Sequence, residues 1–136
     1  MLSALSRLRF AALASFVFAL ASVHAAHGHW IGDFWEHSAV VRELITHPVH
    51  PRHPLLLVDA PHAFANPFAL VVATLARFTG ASAVTALAVA SLVNLLMLCV
   101  ALRVFVRRFA PAHAGVVGFY LLLFMLFLVG HPVWRW

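Results

Sequence analysis

Apolar residues in this chain are gathered into three runs. Residues 10–26 are interrupted only by serines and His24, a length at the lower limit of the roughly 17–25 residues that a membrane span needs. Residues 81–102 are apolar apart from Ser82, Thr85, Ser91 and Asn94; at about 1.5 Å per residue they cover roughly 33 Å, matching a hydrocarbon core of about 30 Å. The third run, 114–129, contains the unbroken block Phe119 to Leu128. The pattern predicts an all-α, polytopic helical membrane protein with three transmembrane helices. The first run also fits a cleaved secretory signal, with Arg7 and Arg9 before it and Val23-His24-Ala25 near its end; two further spans downstream favour its retention as a helix.

The segment between the first two spans, 27–80, is too long for a simple turn. Its first part, 33–46, reads as a short helix that stops where His47 precedes Pro48, because the residue before a proline avoids helical geometry. At about 100° per residue, Asp33, Glu36 and Glu43 fall within about 80° of one another, with Phe34, Val41 and Ile45 on another side. Residues 47–54 place a proline at every third position and predict an extended, polyproline-like stretch. Residues 66–79, opened by Asn66-Pro67 and ended by Arg77 and Gly80, read as an amphipathic helix too short to cross a membrane. Both short helices are expected to lie at the membrane surface.

Composition strengthens the membrane reading. Of 136 residues, 64% are hydrophobic and 10% charged, the mean hydropathy is +0.98, and a soluble domain usually carries about 25% charged residues. The nine basic residues are all arginine and only four acids offset them, for a net charge of +5. These arginines sit at the ends of apolar runs rather than on one polar face, which argues against a nucleic-acid partner. Arg7 and Arg9 before the first span, and Arg103, Arg107 and Arg108 after the second, predict a cytoplasmic N-terminus by the positive-inside rule. The 27–80 loop and the C-terminus then face outward, with Trp134 and Trp136 suited to an interface. The expected location is the cell (inner) membrane. Cys99 stands alone and can form no internal disulfide.

All four acids, Asp33, Glu36, Glu43 and Asp59, and seven of the ten histidines lie between residues 27 and 62. Asp33 and Glu36, with His37 beside them, can bind a divalent metal ion through oxygen ligands or deprotonate an incoming hydroxyl; a plain solvated helix start, acids at the positive end of the dipole, gives the same residues. His47, His50 and His53 share a face in an extended stretch but stand about 9 Å apart, too far to hold one zinc. Arg77 carries a planar donor fork suited to phosphate oxygens, or simply reaches for the interface.

The order of parts resembles the N-terminal portion of GT-C-type glycosyltransferases, polytopic membrane enzymes that take a sugar from a polyprenyl-phosphate donor. The resemblance is carried by Gly32-Asp33-Phe34-Trp35-Glu36-His37, by His50-Pro51-Arg52-His53-Pro54, by Asn66-Pro67 through Arg77-Phe78-Thr79-Gly80, and by Ala81-Ser82 opening the long span. It covers roughly residues 8–108. It implies that Asp33 acts as base or metal ligand with Glu36 as second acid, three positions on rather than adjacent or alternate, and that His37, His53 and Arg77 assist substrate binding. Such enzymes have many more spans, so the expectation is an N-terminal part that is inactive alone and completed by downstream helices or partner subunits. The competing expectation is a small non-enzymatic three-span protein that assembles with partner helices or binds metal through its loop histidines.

Overall fold

The computed structural model describes residues 2–28, 33–57, 60 and 66–130. Gly32, Asp59, His29, His62, Trp134 and Trp136 lie outside the described residues. Among those described the chain is all-helical: α1 (Leu2–His27), α2 (Phe34–Thr46), α3 (Pro67–Thr79), α4 (Ala83–Phe109), a 3₁₀ turn (Pro111–His113) and α5 (Ala114–Gly130).

Local chemistry explains where these helices stop and start. The left-handed Gly28, at φ 68°, follows the last residue of α1. Asn66 caps α3 by accepting the Ala69 N–H on its side-chain oxygen at 2.9 Å, and Pro67 fills the first helical position, where no N–H is needed. Gly80, at φ 70°, closes the other end, with the Ala81 N–H donating to the Ala76 carbonyl at 3.1 Å. This left-handed cap favours glycine because a Cβ is strained there. Ser82 opens α4 through its hydroxyl, which accepts the Thr85 N–H at 3.1 Å. The second apolar run was expected to end its helix near residue 102. It continues instead to Phe109, because arginine is a good helix former and is favoured near a helix C-terminus.

The chain divides into two compact units, residues 1–27 with 92–136, and residues 28–91. In the first unit Phe10 of α1, Cys99, Leu102 and Val106 of α4, and Leu122 of α5 form the buried cluster. Gly118 lets α1 and α5 approach: a Cβ there would stand 3.1 Å from the Phe10 ring. In the second unit Val40, Val41 and Leu44 of α2 pack on Ala69, Val72 and Ala73 of α3 and on Ala83 and Leu87 at the start of α4.

Two helical segments, Arg7–His27 and Ala83–Phe109, are long and apolar enough to cross a membrane. Only 11% and 17% of their most apolar windows are buried, unlike the core helix of a soluble protein. The third expected span is a helix of 17 residues, α5, almost wholly apolar but shorter. The 66–79 segment forms a short helix, Pro67–Thr79, with apolar residues grouped by side. Ala69, Val72, Ala73 and Ala76 form its buried stripe, while Phe68, Val71, Leu75 and Phe78, also at helical spacing, are exposed. It therefore carries two apolar faces.

Residues 47–54 do not form the continuous polyproline stretch that their prolines suggested. His47 sits at φ −127°, ψ 70°, the chain bends over 48–50, and a turn falls at 54–55. Polyproline II leaves its backbone to water, whereas here the Arg52 N–H is drawn to a carboxylate and the His53 N–H donates to the Ala60 carbonyl at 3.0 Å.

Candidate functional site

The start of α2 holds the first candidate group. Asp33 is the residue preceding the helix and its carbonyl accepts the His37 N–H at 3.0 Å, but its carboxylate makes no capping hydrogen bond. Glu36 lies in the first turn. The carboxylates of Asp33 and Glu36 and the imidazole of His37 are exposed, and no hydrogen bond or ion pair joins any of the three to another described residue. Phe34 and Trp35 stack edge to face at 6.0 Å beside them, with the Trp35 ring largely open.

The third acid of the same helical face has a different task. One oxygen of Glu43 accepts both the His47 Nδ1–H and the Arg52 N–H, each at 2.9 Å. The Arg52 N–H holds the Glu43 carboxyl below its usual value; desolvation opposes this, and His47 adds to the lowering. Because an ionised carboxylate only accepts, His47 must carry its proton on Nδ1. Glu43 thus ties the end of α2 to the bent loop after it. The sequence offered a partial signal, a histidine four residues on and just before a proline. The Arg52 contact depends on the path of the backbone.

The remaining candidates are engaged in bonds of their own. His53 Nδ1 accepts the Leu55 N–H at 3.3 Å, which puts its neutral proton on Nε2 and commits the ring to the turn. Arg77 Nη1 donates to the Ile45 carbonyl at 3.2 Å. This bond satisfies a carbonyl in the last turn of α2, where a cation also favours the helix dipole. Arg77 is exposed as well, so the same guanidinium retains donors directed to its surroundings.

Among the described residues no group of three or more His, Cys, Asp and Glu side chains is assembled to hold a metal ion. The Asp33 and Glu36 pair supplies hard oxygen donors of the kind magnesium takes, since that ion is commonly held by one or two carboxylates together with substrate phosphates and water. No known protein family, curated protein or solved structure matches this chain.

Proposed function

We propose that the chain is a multi-pass segment of the cell membrane with its N-terminus in the cytoplasm, and that it forms the front of a glycosyltransferase of the GT-C type. Its α1, α4 and α5 are the spans. The α2–α3 pair lies at the outer surface, where the exposed stripe Phe68, Val71, Leu75 and Phe78 enters the lipid boundary. The uncovered flanks of α1 and α4 support the membrane reading, because apolar surface on this scale is stable in lipid and not in water.

The observation that carries the chemical assignment is the division of labour among the described carboxylates. Glu43 is consumed by the loop, and Asp33 and Glu36 stay open. In this reading Asp33 takes the proton from an acceptor hydroxyl as its oxygen attacks the sugar's anomeric carbon. The bond from that carbon to the donor phosphate oxygen breaks, and polyprenyl phosphate leaves with the electron pair. Asp33 and Glu36 would hold a divalent ion if one takes part, which would supply charge neutralisation at the donor phosphate. In this reading Arg77, His37 and His53 assist donor binding.

Sugar transfer from a polyprenyl-phosphate donor, measured in membranes in which the chain is joined to the downstream helices or partner subunits that complete it, tests this. Asp33→Asn abolishes transfer, while Glu43→Gln, which keeps an acceptor oxygen for Arg52, retains most of it. Equal transfer by the Asp33→Asn protein and the unaltered one removes the catalytic assignment. The exposure of Asp33, Glu36 and His37 favours one alternative, a non-enzymatic membrane protein that assembles with partner helices; it is the reading left if Asp33→Asn has no effect.

A further inference from the structure

A cavity of about 240 Å³ opens in the unit formed by residues 1–27 and 92–136. Arg7 of α1 and Arg103 and Arg107 of α4 line it, together with Phe10, Gly115 and Gly118. At roughly 30 Å³ per water it has room for about eight waters. This is space for a phosphate group and its neighbours.

Three features make the cavity select an anion. Arg103 and Arg107 are one helical turn apart and so share a face of α4, and Arg7 reaches the same cavity from another helix. The residues of this unit include no Asp or Glu, so no acidic side chain of the unit stands against Arg103 and Arg107 in the cavity. The first residues of α5, Ala114 and Gly115, also line the cavity, adding the positive end of a helix of 17 residues to the same spot. Arginines that merely reached for the interface would have no reason to converge. Arg108 shows the contrast: it belongs to the same cluster in sequence but does not line the cavity.

An adjoining groove of about 300 Å³, lined by Val116, Phe119 and Tyr120 with Arg9 at its edge, shares Gly115 with the cavity. A charged chamber with an apolar groove on the other side of a shared residue, Gly115, suits a phosphate headgroup with its acyl chain. We propose that this cavity binds the phosphate headgroup of an anionic phospholipid, from the leaflet that faces the turn between α4 and α5. Basic pockets between membrane helices on the cytoplasmic side commonly take such lipids, and the arginine fork matches two phosphate oxygens at once. The inference rests on the membrane reading above and is independent of sugar transfer.

The test uses the full chain in phosphatidylcholine nanodiscs doped with phosphatidylglycerol, with bound lipid counted by native mass spectrometry. Arg107→Gln lowers phosphatidylglycerol retention about tenfold, the loss expected for one charge-assisted hydrogen bond, whereas the neighbouring Arg108→Gln, with the same charge change, leaves it nearly unaltered. Ala112→Phe keeps every arginine and fills the cavity wall, so it lowers retention even if Arg107→Gln fails to fold. Equal losses in Arg107→Gln and Arg108→Gln overturn the site in favour of a diffuse charge effect. Displacement of the lipid by inorganic phosphate alone overturns the lipid as ligand and leaves a site for soluble anions.

Discussion

Glu43 has one carboxylate oxygen that serves two donors, and this makes the loop after α2 sensitive to acid. Its carboxyl is held below the usual value chiefly by the Arg52 N–H. A group whose folded value is depressed contributes stability that is present above its unfolded value, about 4.3 for glutamate, and is lost as pH falls through the lower folded value. Hydrogen exchange of the Arg52 amide is therefore expected to be well protected near neutrality and to lose that protection as pH falls beneath the ordinary glutamate value and through the lowered one; in Glu43→Gln that protection no longer changes with pH. Protection unchanged by acid in the unaltered protein would mean that the contact does not order the loop. Helical spacing alone was enough to group Asp33, Glu36 and Glu43 on one face. It could not assign Glu43 to the loop, because the partner is a backbone N–H nine residues away that only the bends at 48–50 bring within reach. The prolines at every third position argued for the opposite path.

At the scale of the helices, the boundaries set by local chemistry are the legible ones. Asn66, Pro67 and Gly80 act through their own backbone geometry or within three residues, so their roles follow from residue type and order. The end of α4 was misplaced because loss of hydrophobicity is not loss of helicity: Arg103, Arg107 and Arg108 leave the apolar run but continue the helix. The second apolar stripe of α3 was hidden for a related reason, since a nearly all-apolar segment does not declare which side is covered. Packing between α1 and α5 yields a sharper test. A Cβ at Gly118 stands 3.1 Å from the Phe10 ring, so Gly118→Leu overpacks the contact and costs about 1–3 kcal/mol. Phe10→Ala opens space at the same point. The double variant is expected to cost clearly less than the sum of the two single changes, as neighbours in contact do, when unfolding in mixed micelles is followed by circular dichroism. Strict additivity would show that the two residues do not meet.

For the molecule as a whole, the expected orientation follows from charge and the expected completeness from exposure. The arginines beside the spans predict that residues 27–80 face outward and that Arg103 to Pro111 faces the cytoplasm. A cysteine placed at Ser38 should react with an impermeant reagent added to intact cells, and one at Ala110 only after permeabilisation; the reverse pattern would invert the topology. Completeness turns on Asp33 and Glu36, which are exposed at the start of α2. Sugar transfer requires donor and acceptor to be held in reacting geometry, a contribution of about 7–11 kcal/mol. An open helix start cannot supply it, because a site of this kind needs walls on several sides that also exclude water. The uncovered apolar flanks of α1, α4 and α5 offer surfaces on which such walls could pack, and small residues such as Gly115 would let further helices approach. The 136-residue chain, purified and returned to lipid, is therefore expected to resist extraction by alkaline carbonate and yet to show no turnover of a polyprenyl-phosphate sugar. Turnover that disappears in Asp33→Asn would show that these helices enclose the reaction unaided. Release by carbonate would instead remove the membrane reading on which the transferase and the lipid site both depend.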